Sequence, residues 1–331
     1  MRLLHRLLLC CVVLLGCVLA ASAKETYVFD LKFGSRGTGN GQFTSNVGLS
    51  IVSGLVAVAD CDNHRIELFD SDGNYQAQFG GMALPYQPVI VSGGGYYVLS
   101  YGSSNVTAHN ASGLVMGSLA SAGSGPQQIQ SPRGIALNPT THMLYIADTE
   151  NNRISQWTTG GVFVRTFGTE GTGDGQLKLP YGVALDAAGN VYVADTDNHR
   201  IQKFSGTGDY LAKWPVGTGG EIGVPRCLTV SGNHVFVGST TGMKVIKYTT
   251  DGAFVCQFGS PGTGDGQFLD LNGIAVDDYG KVFVSDGNVA NSRVQRFVPN
   301  NTPTAPTTVA ITPKPARDGD NLVPKPVGAT D

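Results

Sequence analysis

The chain is expected to be all-β, closed into a six-bladed propeller of four-stranded blades, and three observations lead there. The first is repetition. VAVADCDNHRIELF from Val56, LYIADTENNRISQW from Leu144, VYVADTDNHRIQKF from Val191 and VFVSDGNVANSRVQRF from Val282 are nearly one segment written four times. Their aspartates are Asp60, Asp148, Asp195 and Asp286. The first and third gaps are about twice the second, so each long gap should hold a degenerate copy. YYVLSY at 96–101 and HVFVGS at 234–239 fill those places. Six units of about 45 residues have the spacing of propeller blades.

The second observation is the pattern inside one unit, clearest at 179–217. An apolar run (YGVALD, 181–186) is followed by a turn at 187–189, and NVYVAD (190–195) then alternates at period two. A polar connection (196–199) leads to a third alternating run (200–204), a second turn (206–209) and a fourth run (210–214). Four short strands joined by turns form a meander, and nothing after the leader sustains a 3.6 period over three turns. A lone meander has two raw edges and little core, so its copies must stack into a ring.

The third observation is closure. The last unit supplies strands at 272–277, 281–286 and 293–298 but no fourth. YVFDLKFG at 27–34 matches the fourth-strand runs FVRTFG (163–168) and FVCQFG (254–259), so the N-terminal segment should complete the last blade. A clasp of this kind argues for six blades.

Aligned, the units read GTGDGQL–x₂–PYGVALD–x₂–GNVYVADTDNHRIQ (171–202) and GTGDGQF–x₃–NGIAVD–x₂–GKVFVSD (262–286). They resemble NHL repeats, which form six-bladed propellers. The resemblance covers about 27–298; it is strong in blades one, three, four and six and weak in two and five.

Three regions follow. Residues 1–23 read as a secretory signal peptide. Arg2 and Arg6 precede an apolar run from Leu7 to Ala20, and Ala21-Ser22-Ala23 offers a cleavage site. A retained membrane anchor is the alternative, and the run is short for a span. Residues 24–298 are the propeller. Residues 299–331, rich in Pro and Thr and almost without aromatics, are expected to be a disordered tail, with no hydrophobic end to support a lipid-linked anchor. The secretory route makes Asn105, Asn110 and Asn300 candidate N-glycosylation sites.

Loss of Arg2 and Arg6 with the leader takes the formal charge from −3 to −5. An acidic surface is a poor nucleic-acid partner, so none is expected. Cys61, Cys227 and Cys256 remain after cleavage. Cys227 falls on an innermost strand and Cys256 on the outermost strand of the same blade, beyond disulfide reach, so three free thiols are expected. There are no Cys-x-x-Cys pairs, so the zinc module that accompanies some NHL proteins is not encoded.

Strand parity gathers the second-to-third connections, the interblade linkers and the first residue of each inner strand on one face. Alignment assigns Val47, Gln87, Arg133, Tyr181, Arg226 and Asn272 to the ring around the channel mouth. Gln87, Arg133, Tyr181, Arg226 and Asn272 are the candidate ligand-binding residues, with the two arginines suited to a carboxylate, sulfate or phosphate. Pairing with neighbouring carboxylates is the competing role for them.

The sets Asp60/Asn63/Arg65, Asp148/Asn151/Arg153 and Asp195/Asn198/Arg200, with Asp286 and Arg293, recur in blade after blade. A catalytic group is needed once and a turn-stabilising group in every copy, so these are structural, with the arginine bridging to the next blade. His64 and His199 share that reading. The GTGDGQ runs lack the Lys-Ser/Thr and helix of a phosphate loop, and their glycines serve turning.

The resemblance extends to one enzyme class, the peptide-amidating lyases, which hold zinc through histidines that open the inner strands. Arg133, Tyr181 and Arg226 stand at those positions here, so neither zinc nor another cofactor is expected. Lactonase-type propellers place acidic residues in the channel, whereas Asp186 and Asp277 match the repeat at the far face as turn caps. The expected function is therefore a secreted, non-catalytic binding module for an extracellular protein or glycan. A lyase-like or lactonase-like enzyme using the channel is the alternative.

Overall fold

A computed structural model of the protein describes residues 25–288 and 290–300. Six four-stranded antiparallel sheets are present. Blade one is Asn46–Val52, Leu55–Asp60, Arg65–Asp70 and Tyr75–Gly80, and blade two is Pro85–Ile90, Tyr96–Ser100, Asn105–His109 and Val115–Leu119. Blade three is Gly134–Asn138, Met143–Asp148, Arg153–Thr158 and Phe163–Phe167. Blade four is Pro180–Leu185, Val191–Asp195, Arg200–Phe204 and Tyr210–Pro215. Blade five is Pro225–Ser231, His234–Ser239, Lys244–Thr249 and Phe254–Phe258. The sixth sheet joins Leu271–Val276, Val282–Asp286 and Arg293–Asn300 to Thr26–Phe33 from the other end of the chain. The inner strands touch in a closed ring, blade six returning to blade one.

The expected clasp is present, and it runs further than expected. Arg293–Asn300 continues two residues past 298 because Thr26 pairs with Asn300 and Tyr27 with Pro299. Its side chains bind two interfaces at once. Tyr27 stacks on Phe258 and meets Phe236 between blades five and six, while Phe33 packs on Phe69 between six and one. The core consists of six such clusters, one between each pair of neighbouring blades, because each sheet can bury its apolar faces only against the next.

The repeated Asp-Asn-Arg sets explain why linkers and blades keep one geometry. Asp195 is fully buried; its oxygens accept from Lys178 N (2.7 Å), Arg200 Nε (2.6 Å), Gln202 Nε2 (2.9 Å) and the Asn198 amide (2.9 Å). Arg200 then donates to the carbonyls of Thr172, Gly173 and Gln176, which belong to the linker entering its own blade. Arg65 does the same with Thr38, Gly39 and Gln42, and Arg293 with Gly264 and Gln267. The expected bridge to the next blade is thus corrected. The arginine reaches back to the incoming linker, whose curled carbonyls lie over the third strand. That curl requires Gly171, at φ +150°, where an added Cβ would sit 2.3 Å from Gln176 Oε1.

The leader (1–23) and residues 301–331 of the tail lie outside the described residues. Asn105 opens the third strand of blade two, and Asn110 begins the following turn, where its Oδ1 accepts from Ser112 N and Leu114 N. Asn300 ends the last strand, paired in register with Thr26. Among the described residues no helix is long and apolar enough to cross a membrane.

Candidate functional site at the channel mouth

Five of the six inner strands begin with an irregularity. In blade two the ladder passes from Pro85–Ser100 to Gln87–Leu99, and in blade five from Pro225–Ser239 to Cys227–Gly238, skipping Tyr86 and Arg226. The same step skips Tyr181, Asn272 and Val47 in blades four, six and one. In blade three Arg133 immediately precedes the paired strand and donates its N–H to Ala147 O at 3.3 Å. A bulge re-aims a side chain out of the ladder, and proline, lacking an N–H, favours one at 85, 180 and 225.

The register moves one expected residue. Tyr86, not Gln87, is the equivalent of Arg133 and Tyr181. Gln87 is in the paired strand one step further in, where its Nε2 donates to Leu49 O at 3.4 Å. There it lines a channel cavity of about 180 Å³ formed by all six inner strands, with Ser50 and Thr229 as other polar groups among aliphatic ones. The repeated Pro-Tyr of 85–86 and 180–181 carries this register in the sequence.

Glycine follows the mouth residue in four blades and lets neighbouring strands converge there. A Cβ on Gly48 would lie 2.5 Å from Tyr86 O, one on Gly134 2.3 Å from Tyr181 O, and one on Gly273 2.6 Å from Val47 O. Gly134→Ala is therefore expected to cost about 1–3 kcal/mol through overpacking against backbone. A shift in the urea midpoint measures it, and an unchanged midpoint would show that the blades can part at no cost.

The structure brings Arg133, Tyr181, Arg226 and Asn272 together and adds Tyr86, Tyr101 and Asp270, which alignment missed. The Arg133 guanidinium lies 4.6 Å from the ring centres of both Tyr101 and Tyr181 and 5.4 Å from that of Tyr86. It donates to the Tyr86 hydroxyl at 3.3 Å. Among the described residues no carboxylate lies within ion-pair distance of it. Arg226 differs. It donates to Asp270 Oδ1 at 2.7 Å, and Asp270 Oδ2 accepts from Asn272 Nδ2 at 3.0 Å. The Tyr86 hydroxyl is also beside Arg226, so blades two and five meet across the mouth. Arg226 Nε and Asn272 Oδ1 are buried without a hydrogen-bond partner. The competing role in carboxylate pairing thus applies to Arg226 and not to Arg133.

Cys61 is half-buried at the turn after Asp60, and Cys227 is buried beside Arg226; none of the three described cysteines forms a disulfide. Burial pushes the thiols of Cys61 and Cys227 up to about 12, with Asp62 and Asp60 adding to the effect at Cys61. Neither is a thiolate nucleophile at neutral pH. His64 and His199 hold left-handed turn positions, and the His64 ring nitrogen accepts from Leu84 N. Asp186 and Asp277 cap turns, accepting from Asn190 N and Lys281 N. Among the described residues no three His, Cys, Asp or Glu side chains are grouped to hold a metal.

Together these define a six-bladed β-propeller whose channel is capped by an arginine–tyrosine cluster. A profile of the NHL repeat matches residues 177–204, which hold the first three strands of blade four. Over 58 residues, 17% of this chain, it is 38% identical to the protein brain tumor of Drosophila melanogaster. Over 56 residues it is 38% identical to the B-box type zinc finger protein ncl-1 of Caenorhabditis elegans. These matches span only 6% and 7% of those proteins' lengths.

Solved structures extend the likeness to the whole ring. Virginiamycin B lyase of Staphylococcus aureus superposes with a TM-score of 0.56 at 15% identity, covering 80% of this chain and 82% of that one. A gluconolactonase of Xanthomonas campestris gives 0.61 at 13%, covering 83% and 97%. A chain of the nidogen–laminin complex gives 0.55 at 17%, covering 66% and 81%. At these identities the shared property is the fold.

Proposed function

We propose that the protein is a secreted, non-catalytic binding module that engages an extracellular protein or glycan through the channel-mouth face. One observation carries this reading: Arg133 is held in place by three tyrosine rings without a carboxylate to neutralise it. A fixed, half-exposed guanidinium among aromatic groups is the chemistry of a recognition site, since little ordering is left for a partner to impose. Propellers serve both roles, as the lyase, gluconolactonase and nidogen–laminin structures illustrate. The mouth itself favours binding. Its carboxylate, Asp270, has both oxygens engaged by Arg226 and Asn272 and is not poised as a general base. Secretion is read from the leader, and glycosylation from the sequons at Asn105, Asn110 and Asn300.

The test is a screen of the secreted protein against immobilised glycans and extracellular domains, repeated with Arg133→Ala/Arg226→Ala. Binding should fall at least tenfold in the double variant while its circular dichroism spectrum keeps the wild-type form, which shows that the propeller is still folded. A ligand that binds both proteins equally would remove the mouth from the docking face.

A further inference from the structure

We propose that the mouth is a seat for a sugar acid, with Arg133 taking the carboxylate of a uronic-acid residue. The inference rests on the binding reading above and gives it a ligand class.

Charge accounting comes first. Two guanidinium cations face the channel axis from blades three and five, and one carboxylate, Asp270, answers them. Asp270 belongs to Arg226, at 2.7 Å, and is steadied by Asn272. One cation, that of Arg133, is left over. Of its five N–H groups one is spent on the Tyr86 hydroxyl, a neutral acceptor at the long distance of 3.3 Å. The uncompensated charge is thus a single one, which decides among anions. A dianionic phosphate would need both cations, one of which Asp270 already neutralises, and would be repelled by Asp270. A planar monoanion matches one guanidinium fork and one unit of charge.

The surroundings favour a polyhydroxylated carrier for that carboxylate. Arg226 Nε is a buried donor and Asn272 Oδ1 a buried acceptor, neither with a hydrogen-bond partner, on two side chains that both bind Asp270. A sugar hydroxyl, which both gives and takes hydrogen bonds, suits either atom once the mouth side chains shift to admit it. Tyr101 and Tyr181, both half-buried, place ring faces around Arg133, so the sugar would meet aromatic walls and a guanidinium together. The cap is narrow, since Tyr86 touches both arginines, which suits a terminal residue better than a through-running chain.

The experiment is calorimetric titration of the secreted protein with sodium glucuronate, with glucose, and with acetyl-triglycine as the free acid. Glucuronate should bind, and glucose should bind at least tenfold more weakly. Arg133→Gln should weaken glucuronate at least tenfold. Asp270→Asn should strengthen it severalfold, because it frees Arg226 to act as a second cation; that opposite sign is something mere loss of folding would not produce. Glucose binding as tightly as glucuronate, or Arg133→Gln binding it unchanged, overturns the seat. Acetyl-triglycine binding in preference to glucuronate overturns the sugar and assigns the cation to a peptide carboxylate. The titration needs no partner protein, so a blank result alongside intact partner binding refutes this seat alone. Glucuronate binding alongside partner capture that ignores the mouth substitutions refutes the docking reading alone.

Discussion

Asp195→Ala is expected to destabilise the propeller by about 3–5 kcal/mol, the cost of removing one partner from a buried ion pair. The carboxylate has no solvent exposure and terminates four side-chain and backbone donors, including Arg200 Nε at 2.6 Å. Without it the Arg200 guanidinium keeps its three linker carbonyls but loses its counter-charge, in a place too closed for water to replace it. The linker N–H of Lys178 is stranded with it. Asp195→Ala/Arg200→Leu should be less damaging than the sum of the single changes, because removing both charges strands neither. Urea denaturation of the three variants measures this. A loss below about 1 kcal/mol in Asp195→Ala would mean that the set is ornamental. The same experiment separates structure from catalysis: the effect should appear in stability, and glucuronate affinity of the folded variant should stay near wild type.

How much could be read in advance follows from which features repeat. The four Asp-Asn-Arg sets and their linkers are dictated by backbone geometry, so they recur at fixed spacing and reveal blade number, strand order and closure. The mouth residues are free to vary from blade to blade, and there only register could be read. Val47, Arg133, Tyr181, Arg226 and Asn272 fell in place, while blade two slipped by one because its bulge inserts Tyr86 before Gln87. Tyr101 carried no signal of its own, standing where other blades have cysteine, threonine or glycine after the second strand. Asp270 is an unrepeated acid in a linker, and only the fold brings it to Arg226. The direction of the Arg65, Arg200 and Arg293 bonds, back toward the entering linker, was likewise hidden, since sequence spacing does not say which side of a strand a linker crosses.

Departures from the repeat therefore carry information, and blade one contains a sharp one. Two residues after the arginine, blades four and six place Gln202 and Gln295, whereas blade one places Glu67. Each glutamine accepts from a linker glycine, Gly175 N at 3.0 Å and Gly266 N at 2.9 Å. Each also donates its amide to a linker carbonyl, that of Gln176 or Gln267. Glu67 reproduces the first bond, from Gly41 N at 3.1 Å, but its Oε2 is buried with no partner. An ionised carboxylate has nothing to donate to the corresponding carbonyl of Gln42; a protonated one does. Burial accordingly raises the Glu67 carboxyl from 4.5 to about 7, with Arg65 and the Gly41 N–H opposing and Asp60 adding. Because the folded value lies above the unfolded one, the stability linked to this proton is full below about pH 4.5 and is lost as pH rises through about 7. The loss is on the order of 3 kcal/mol. Glu67→Gln restores the donor permanently. It should leave stability near wild type at pH 5 and raise it by that amount at pH 8, read as the difference between the two proteins' urea midpoints at each pH. Equal midpoints at pH 8 would show that Glu67 ionises in the fold without cost, and that Arg65, 3.3 Å from its other oxygen, already supplies the compensation.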